Sequence, residues 1–269
     1  MKPGQFEYHA PRTLDEAVAL LARVAPEEGR VLAGGQTLVP AMALRLARPG
    51  HLVDINGVAG LDGIEVRDGV VRIGACVRHA AVDAPGPLGR LMAAMKRHIA
   101  HGPIRARGTF CGSLANADAA SEWCLLAVVL DGAVEVRSIR GERVLPVDTL
   151  LLGSMMTTLE PDEMIVAARL PILAEGVRVG FHEFARRAGD FAQVMGVAVL
   201  GAGRPRVAVG ALEGRPRRLA EAEAVLATRP ADFAGAALAA AAALVLPEEE
   251  PYLRALAETS VLRALEAAA

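Results

Sequence analysis

Apolar and polar positions recur with two different periods along this chain, and the changes of period mark its elements. A short run at Phe6–His9 predicts a strand. Thr13-Leu14-Asp15-Glu16 then has the composition of a capping box, with Thr13 as N-cap and Glu16 reaching back. Ala17, Leu20, Leu21 and Val24 continue at helical spacing. Arg30–Ala33 and His51–Ile55 predict further strands. Ile64–Arg67 and Val70–Val77 flank Asp68-Gly69 and predict a hairpin. Leu91, Met92, Met95 and Ile99 share one face of a helix over Leu88–Ala100, and Glu122–Leu130 predicts a second. Val134–Ile139 and Arg143–Val147 form another hairpin around Arg140-Gly141. Met164–Leu170 is a strand that stops at Pro171.

Beyond this point the pattern shifts. Val177–Arg187, Phe191–Leu200 and Arg206–Ala211 read as strands, and three Ala/Leu-rich helices follow over Leu219–Ala227, Phe233–Leu246 and Pro251–Ala267. A run of strands followed by helices predicts an α+β unit with helices on one sheet face. The boundary between the two parts falls near Leu173–Gly176.

Composition narrows the functional classes. Of the 269 residues, 53% are hydrophobic and 22% charged, which suits a packed core and excludes a disordered chain. A formal charge of -2 gives no basic surplus for nucleic acid. The N-terminus lacks the apolar stretch of a signal peptide, and the longest apolar run, Phe233–Leu246 ahead of Pro247, is too short to span a bilayer. Cys76, Cys111 and Cys124 form no CxxC pair, so reduced thiols in a cytoplasmic protein are expected. Three thiols also fall short of the four that an iron–sulfur cluster usually takes.

Two segments could carry chemistry. In Val31-Leu32-Ala33-Gly34-Gly35-Gln36-Thr37-Leu38 a strand delivers the backbone to two glycines ahead of a helix-like segment. Such a turn lets main-chain N–H groups converge on a phosphate. An ordinary strand-to-helix turn fits the same residues. The stretch from Arg105 to Glu122 is rich in small polar residues. Thr109, Ser113 and Asn116 can donate hydrogen bonds, Gly112 permits close approach, and Asp118 and Glu122 can accept from a sugar-like hydroxyl. A polar surface loop with a helix cap is the alternative. Gly201-Ala202-Gly203 is no dinucleotide fingerprint, because Pro205 intervenes and a strand follows. No GxxxxGK[ST] and no GxSxG occur, and His98 and His101 lack a suitably spaced third metal ligand, so no metal site is expected.

Taken in order, several segments resemble the FAD-binding medium subunits of the molybdenum hydroxylases, the group that includes carbon monoxide dehydrogenase and the flavin domain of xanthine dehydrogenase. Ala33-Gly34-Gly35-Gln36-Thr37 is similar to the first flavin-binding segment. Leu44–Pro49 with His51–Ile55 is similar to the next stretch. Thr109–Ser113 matches the second flavin-binding segment, and Thr158–Met164 and Ala188–Ala192 follow in the right order.

The resemblance implies an α+β fold: a two-subdomain FAD-binding domain of the PCMH/vanillyl-alcohol-oxidase kind at 1–173 (subdomains 1–56 and 57–173). A C-terminal domain with a three-stranded sheet and helices would follow at 176–269. It places the first loop, Val31–Leu38, near the FAD pyrophosphate, Thr109–Ser113 and Glu122 at the cofactor, and Ile99 and Ile165 on its apolar side. Phe191 would stand beside the isoalloxazine, although as a sequence position it also reads as a core strand residue.

Three departures stand out: Cys111 replaces the usual first glycine, Ala119 a common proline, and Glu183 a lysine often close to the flavin. The Cys111 Cβ is tolerable only away from positive φ. Cys111 is also the one thiol close enough for a covalent flavin link; otherwise FAD is expected to bind non-covalently.

The implied partners are a molybdopterin-binding large subunit and an iron–sulfur small subunit, in a dimer of heterotrimers. The alternatives are an adaptor that lost its flavin, and a self-contained flavin oxidoreductase. Met155 and Met156 suit either a partner surface or core packing.

Overall fold

The computed structural model describes residues 2–201, 203–246 and 250–269, so Ala202 and Pro247 lie outside the described residues. The first sheet is parallel, in the order β1-β3-β2, and is formed by β1 (Glu7–His9), β2 (Arg30–Leu32) and β3 (His51–Asp54). Helix α1 (Leu14–Val24) connects β1 to β2. Its start carries the predicted capping box: the Thr13 hydroxyl accepts from the Glu16 N–H, and Glu16 accepts from the Thr13 N–H at 3.2 Å. Ala17, Val18, Leu21 and Val24 form its buried stripe. A short helix α2 (Leu38–Ala43) follows β2.

The second sheet is antiparallel and combines β4 (Ile64–Arg67), β5 (Val70–Gly74), β6 (Ala133–Ser138), β7 (Gly141–Pro146) and β10 (Met164–Pro171), in the order β4-β5-β10-β6-β7. Between β5 and β6 the chain forms α3 (Gly86–Lys96), α4 (Gly102–Arg105), α5 (Phe110–Asn116) and α6 (Glu122–Val129). Helix α7 (Val147–Leu150) and the hairpin of β8 (Leu151–Gly153) and β9 (Met156–Thr157) lie between β7 and β10.

The third sheet has the order β11-β12-β13-β14: β11 (Arg178–Phe184), β12 (Val194–Leu200), β13 (Arg206–Gly210) and β14 (Arg217–Arg218). Helices α8 (Ala220–Thr228), α9 (Phe233–Ala242) and α10 (Pro251–Ala267) close the chain. Every residue of β12 is buried because both faces are covered. Met195, Val197 and Val199 join the core built on the second sheet, whereas Val194, Ala198 and Leu200 pack with α8, α9 and α10. This two-sided burial explains why β12 reads as a continuous apolar run rather than an alternating one.

The structure corrects four expectations. The region from Arg105 to Glu122 is not an open polar loop: Thr109 caps α5 through its hydroxyl, and Phe110, Cys111 and Leu114 are buried beneath it. The strands read as Val177–Arg187 and Phe191–Leu200 are shorter, because the chain leaves the sheet after Phe184 and rejoins it at Val194. The third sheet has four strands instead of three, since Arg217-Arg218 adds a two-residue edge to β13. Finally, α9 ends at Ala242. Among the described residues, no helix is long and apolar enough to cross a membrane.

Candidate functional site

The two glycine-bearing segments, more than seventy positions apart in sequence, touch each other. Gly34 is buried, and a Cβ built on it would lie 2.5 Å from the Arg107 carbonyl oxygen and 2.6 Å from the Gly108 Cα. Glycine is therefore required here for backbone-to-backbone contact. Gly35 adopts φ of 71°, in the left-handed region.

After this turn the N–H groups of Gly35, Gln36, Thr37 and Leu38 donate to no acceptor among the described residues. Consecutive unpaired N–H groups after a left-handed glycine form the concavity that binds anions. Gln36 turns back on the loop, its Nε2 donating to the Gly34 carbonyl at 3.0 Å. Val31 and Leu32 sit half-buried in β2, and Leu38 is the half-buried first residue of α2.

Two residues that sequence reasoning passed over hold the segments together. Asn56 Nδ2 donates to the Ala33 carbonyl at 2.8 Å. The Arg78 guanidinium donates to Asn56 Oδ1 and to the Arg107 carbonyl, both at 2.5 Å. Beneath them, Trp123 Nε1 donates to His79 Nδ1 at 2.9 Å, so His79 carries its proton on Nε2. Burial, then the neighbouring Arg105 and Arg78, push its pKa down to about 4, so it stays neutral. The available signal was position: Asn56 follows β3 and Arg78-His79 follow β5, at strand ends facing the glycine turn.

The second segment is more self-contained than expected. Thr109 is buried and its Oγ1 accepts from the Gly112 N–H at 3.0 Å, which caps α5. Ser113 and Asn116 are half-buried on the same helix. Asp118 Oδ1 accepts from the Ala120 N–H at 2.9 Å and shapes the turn into α6.

Cys111 needs correction. It avoids positive φ, as its Cβ demands, but its thiol points into the core and donates to the Ile73 carbonyl at 3.4 Å. Burial pushes that thiol well above its ordinary pKa. The thiol is neither exposed nor ionised, so it is poorly placed to attack a flavin.

A group of acids and imidazoles lies where α3, α6 and β11 converge. Glu183 is nearly inaccessible, with 2% side-chain exposure, and its Oε2 is the one buried side-chain polar atom without a hydrogen-bond partner among the described residues. Burial pushes its pKa up to about 7. Glu122 rises to about 8, through burial and then the nearby Glu183 and Asp118. His98 Nδ1 is 3.7 Å from Glu183 Oε1. Burial lowers the His98 pKa, which weakens this contact as an ion pair. Ile99 is buried beside His98, and Ile165 is buried in β10.

Phe191 contradicts the core-strand alternative, being 75% exposed in the loop between β11 and β12. That loop reaches the α3–α4 connection, since a Cβ on Gly189 would lie 2.4 Å from the His101 ring. Met155 and Met156 are likewise exposed rather than packed in the core. Two clefts, of about 420 and 530 Å³, include none of these residues; they lie between α3 and β11 and beside β14.

The residues present fit FAD on two observations: the free N–H groups after Gly34-Gly35, and the orphaned Glu183 oxygen. Comparison with known proteins agrees. Residues 4–173 match the family model described as the FAD binding domain in molybdopterin dehydrogenase. The nicotine 6-hydroxylase medium subunit of Paenarthrobacter nicotinovorans is 42% identical over 84% of this chain and 81% of its own. The carbon monoxide dehydrogenase medium chain of Hydrogenophaga pseudoflava is 36% identical over 71% of this chain and 68% of its own. A solved structure of carbon monoxide dehydrogenase from Hydrogenophaga pseudoflava superposes with a TM-score of 0.92 at 33% identity, covering 100% of this chain and 98% of that one. The chain belongs to this family of FAD-binding medium subunits of molybdenum hydroxylases.

Proposed function

We propose that the chain is the electron-carrying flavoprotein of a hydroxylase complex. It would take electrons from an iron–sulfur small subunit and pass them to an external acceptor. Substrate would be hydroxylated on a molybdopterin-binding large subunit, and the assembly would be a cytoplasmic dimer of heterotrimers. Residues 1–173, as subdomains 1–56 and 57–173, would hold the cofactor, with 176–269 as the C-terminal domain.

The observation that carries this reading is the run of free N–H groups at Gly35–Leu38 beside a second glycine segment. Bound FAD supplies reversible one- and two-electron chemistry. The chain's own residues supply binding and tuning. Ala33–Leu38 would receive the pyrophosphate, and Ser113 and Asn116 the polar middle of the cofactor. Ile99 and Ile165 would exclude water from its apolar side. Phe191 would cover the ring from the loop between β11 and β12, and Glu122 and Glu183 would set the charge beside it. No side chain need act as acid, base or nucleophile on a substrate.

The test is co-expression with candidate partner subunits, followed by substrate addition to the purified complex under anaerobic conditions. Flavin absorbance should bleach in the complex and remain unchanged in the isolated chain. Substrate turnover by the isolated chain would overturn the reading. Acid denaturation should leave the flavin in the supernatant, because no thiol is available to retain it.

A further inference from the structure

We propose that Glu7, His9 and His51 form a binding site for a divalent transition-metal ion of the zinc or cobalt class, clipping the edge strand β1 to the central strand β3. Strand register brings the three side chains together. Strands β1 and β3 pair in parallel with Glu7 opposite His51, and alternation returns His9 to the face that carries Glu7. Three ligating side chains thus converge from two short strands.

Their donor atoms are spaced for a single ion. His9 Nε2 is 3.1 Å from His51 Nδ1, His51 Nδ1 is 3.5 Å from Glu7 Oε2, and His9 Nε2 is 3.8 Å from Glu7 Oε2. A tetrahedral zinc site with bonds of about 2.0–2.1 Å separates neighbouring donors by roughly 3.3 Å. The set offers three ligands and leaves a fourth position to solvent.

A second observation comes from the other nitrogen of His51. Its Nε2 lies 3.1 Å from Glu27 Oε2, and a carboxylate at that distance takes the N–H. The proton is thereby fixed on Nε2, and the Nδ1 lone pair faces His9 and Glu7. A carboxylate orienting a metal-binding imidazole in this manner is the usual outer arrangement of such sites. Both rings are largely covered, with side-chain exposures of 21% for His9 and 12% for His51, so their geometry is held by packing. Glu7 and Glu27 together would balance a dication. Without an ion, the same contact is one N–H···N hydrogen bond between stacked rings.

The consequence is mechanical. Glu7 and His51 open their strands, whereas Leu32 closes β2 at the glycine turn, so in a parallel sheet the ion would sit away from the flavin loop. It would secure β1, an edge strand of only three residues.

The test uses the full FAD-loaded chain, stripped with chelator and titrated with Co²⁺ alone. Cys76, Cys111 and Cys124 are all buried and do not compete. One Co²⁺ per chain should bind, with ligand-field absorption to the red of the flavin bands. His9→Gln and His51→Gln should each abolish that band while the flavin spectrum is retained. Glu27→Gln should weaken Co²⁺ binding by about 10-fold or more. His98→Gln and His101→Gln should bind as wild type does. Glu7→Gln, a change at an exposed position, gives a further variant that keeps the fold, and it should also weaken binding. A wild-type chain that shows no band with excess Co²⁺, or a folded His51→Gln chain that binds undiminished, overturns the proposal.

Discussion

At Glu183 a single oxygen lacks a partner, and the consequence is a pH dependence that can be worked out. The pKa of Glu183 is raised to about 7 and that of Glu122 to about 8, both mainly by burial. A carboxyl whose folded pKa lies above its unfolded value binds more protons when folded. Its contribution to stability is complete below the ordinary carboxylate pKa and is lost as pH rises through the folded value. The apoprotein should therefore lose stability between about pH 5 and pH 8, and Glu122→Gln with Glu183→Gln should flatten that decline. Denaturant melts across this range check it; a slope unchanged in the double variant would show that these carboxyls are solvated.

Gly34 belongs to the same scale. From sequence Gly34 reads as part of a turn whose N–H groups converge on a phosphate, but the first atoms a Cβ meets are the Arg107 carbonyl and Gly108. Gly34→Val should consequently lower both FAD affinity and melting temperature. Asn56→Ala is the milder probe: it removes the link to Ala33 and Arg78 without a clash, and should weaken FAD binding with a stability loss of about 1 kcal/mol. Equal FAD affinity in a folded Asn56→Ala chain would mean that the link does not shape the loop.

At the scale of elements, the contact between α10 and the third sheet depends on absent side chains. A Cβ on Gly180 would lie 2.0 Å from the Ala264 carbonyl oxygen, and one on Gly196 2.6 Å from that of Ser260. The helix rests on the backbone of β11 and β12 at these points. Gly196→Ala should cost about 1–3 kcal/mol by forcing helix and sheet apart, read as a lower melting temperature. The flavin spectrum should change less, because this contact lies on the sheet face remote from α6.

For the whole molecule, the two sequence regions are fastened by charge as well as by core. Arg218 is held by both Asp131 and Glu223, and Arg215 donates to the carbonyls of Asp148 and Leu151. These links tie the strand-and-helix tail to the second sheet and α7. The exposed Met155 and Met156 lie nearby on the β8–β9 turn, pinned by the Met155 N–H to the Ala117 carbonyl at 2.8 Å. With core packing ruled out by their exposure, a partner surface is the reading left for this pair: Met156→Asp should reduce recovery of the complex on co-purification and leave the melting temperature of the isolated chain unchanged. Full recovery would place the partner surface elsewhere.

The sequence by itself determined the elements whose signals are local. The capping box at Thr13, the Asp68-Gly69 hairpin and the two glycine segments are legible because a few adjacent residues set each conformation. It also carried the family likeness, since several ordered motifs survive in one chain. What depends on distant neighbours was not legible. Small polar composition hid α5, whose helix is defined by Phe110 and Leu114 sinking into a core built elsewhere. For Phe191 a core strand residue stayed open as an alternative, because apolar character alone cannot distinguish a buried ring from an exposed one. The direction of the Cys111 thiol, the orphaned oxygen of Glu183, and the staples made by Asn56 and Arg78 arise only where separate segments meet. Glu7, His9 and His51 show the same limit most plainly: 42 positions separate the two histidines, and only the parallel pairing of β1 with β3 brings their nitrogens to 3.1 Å.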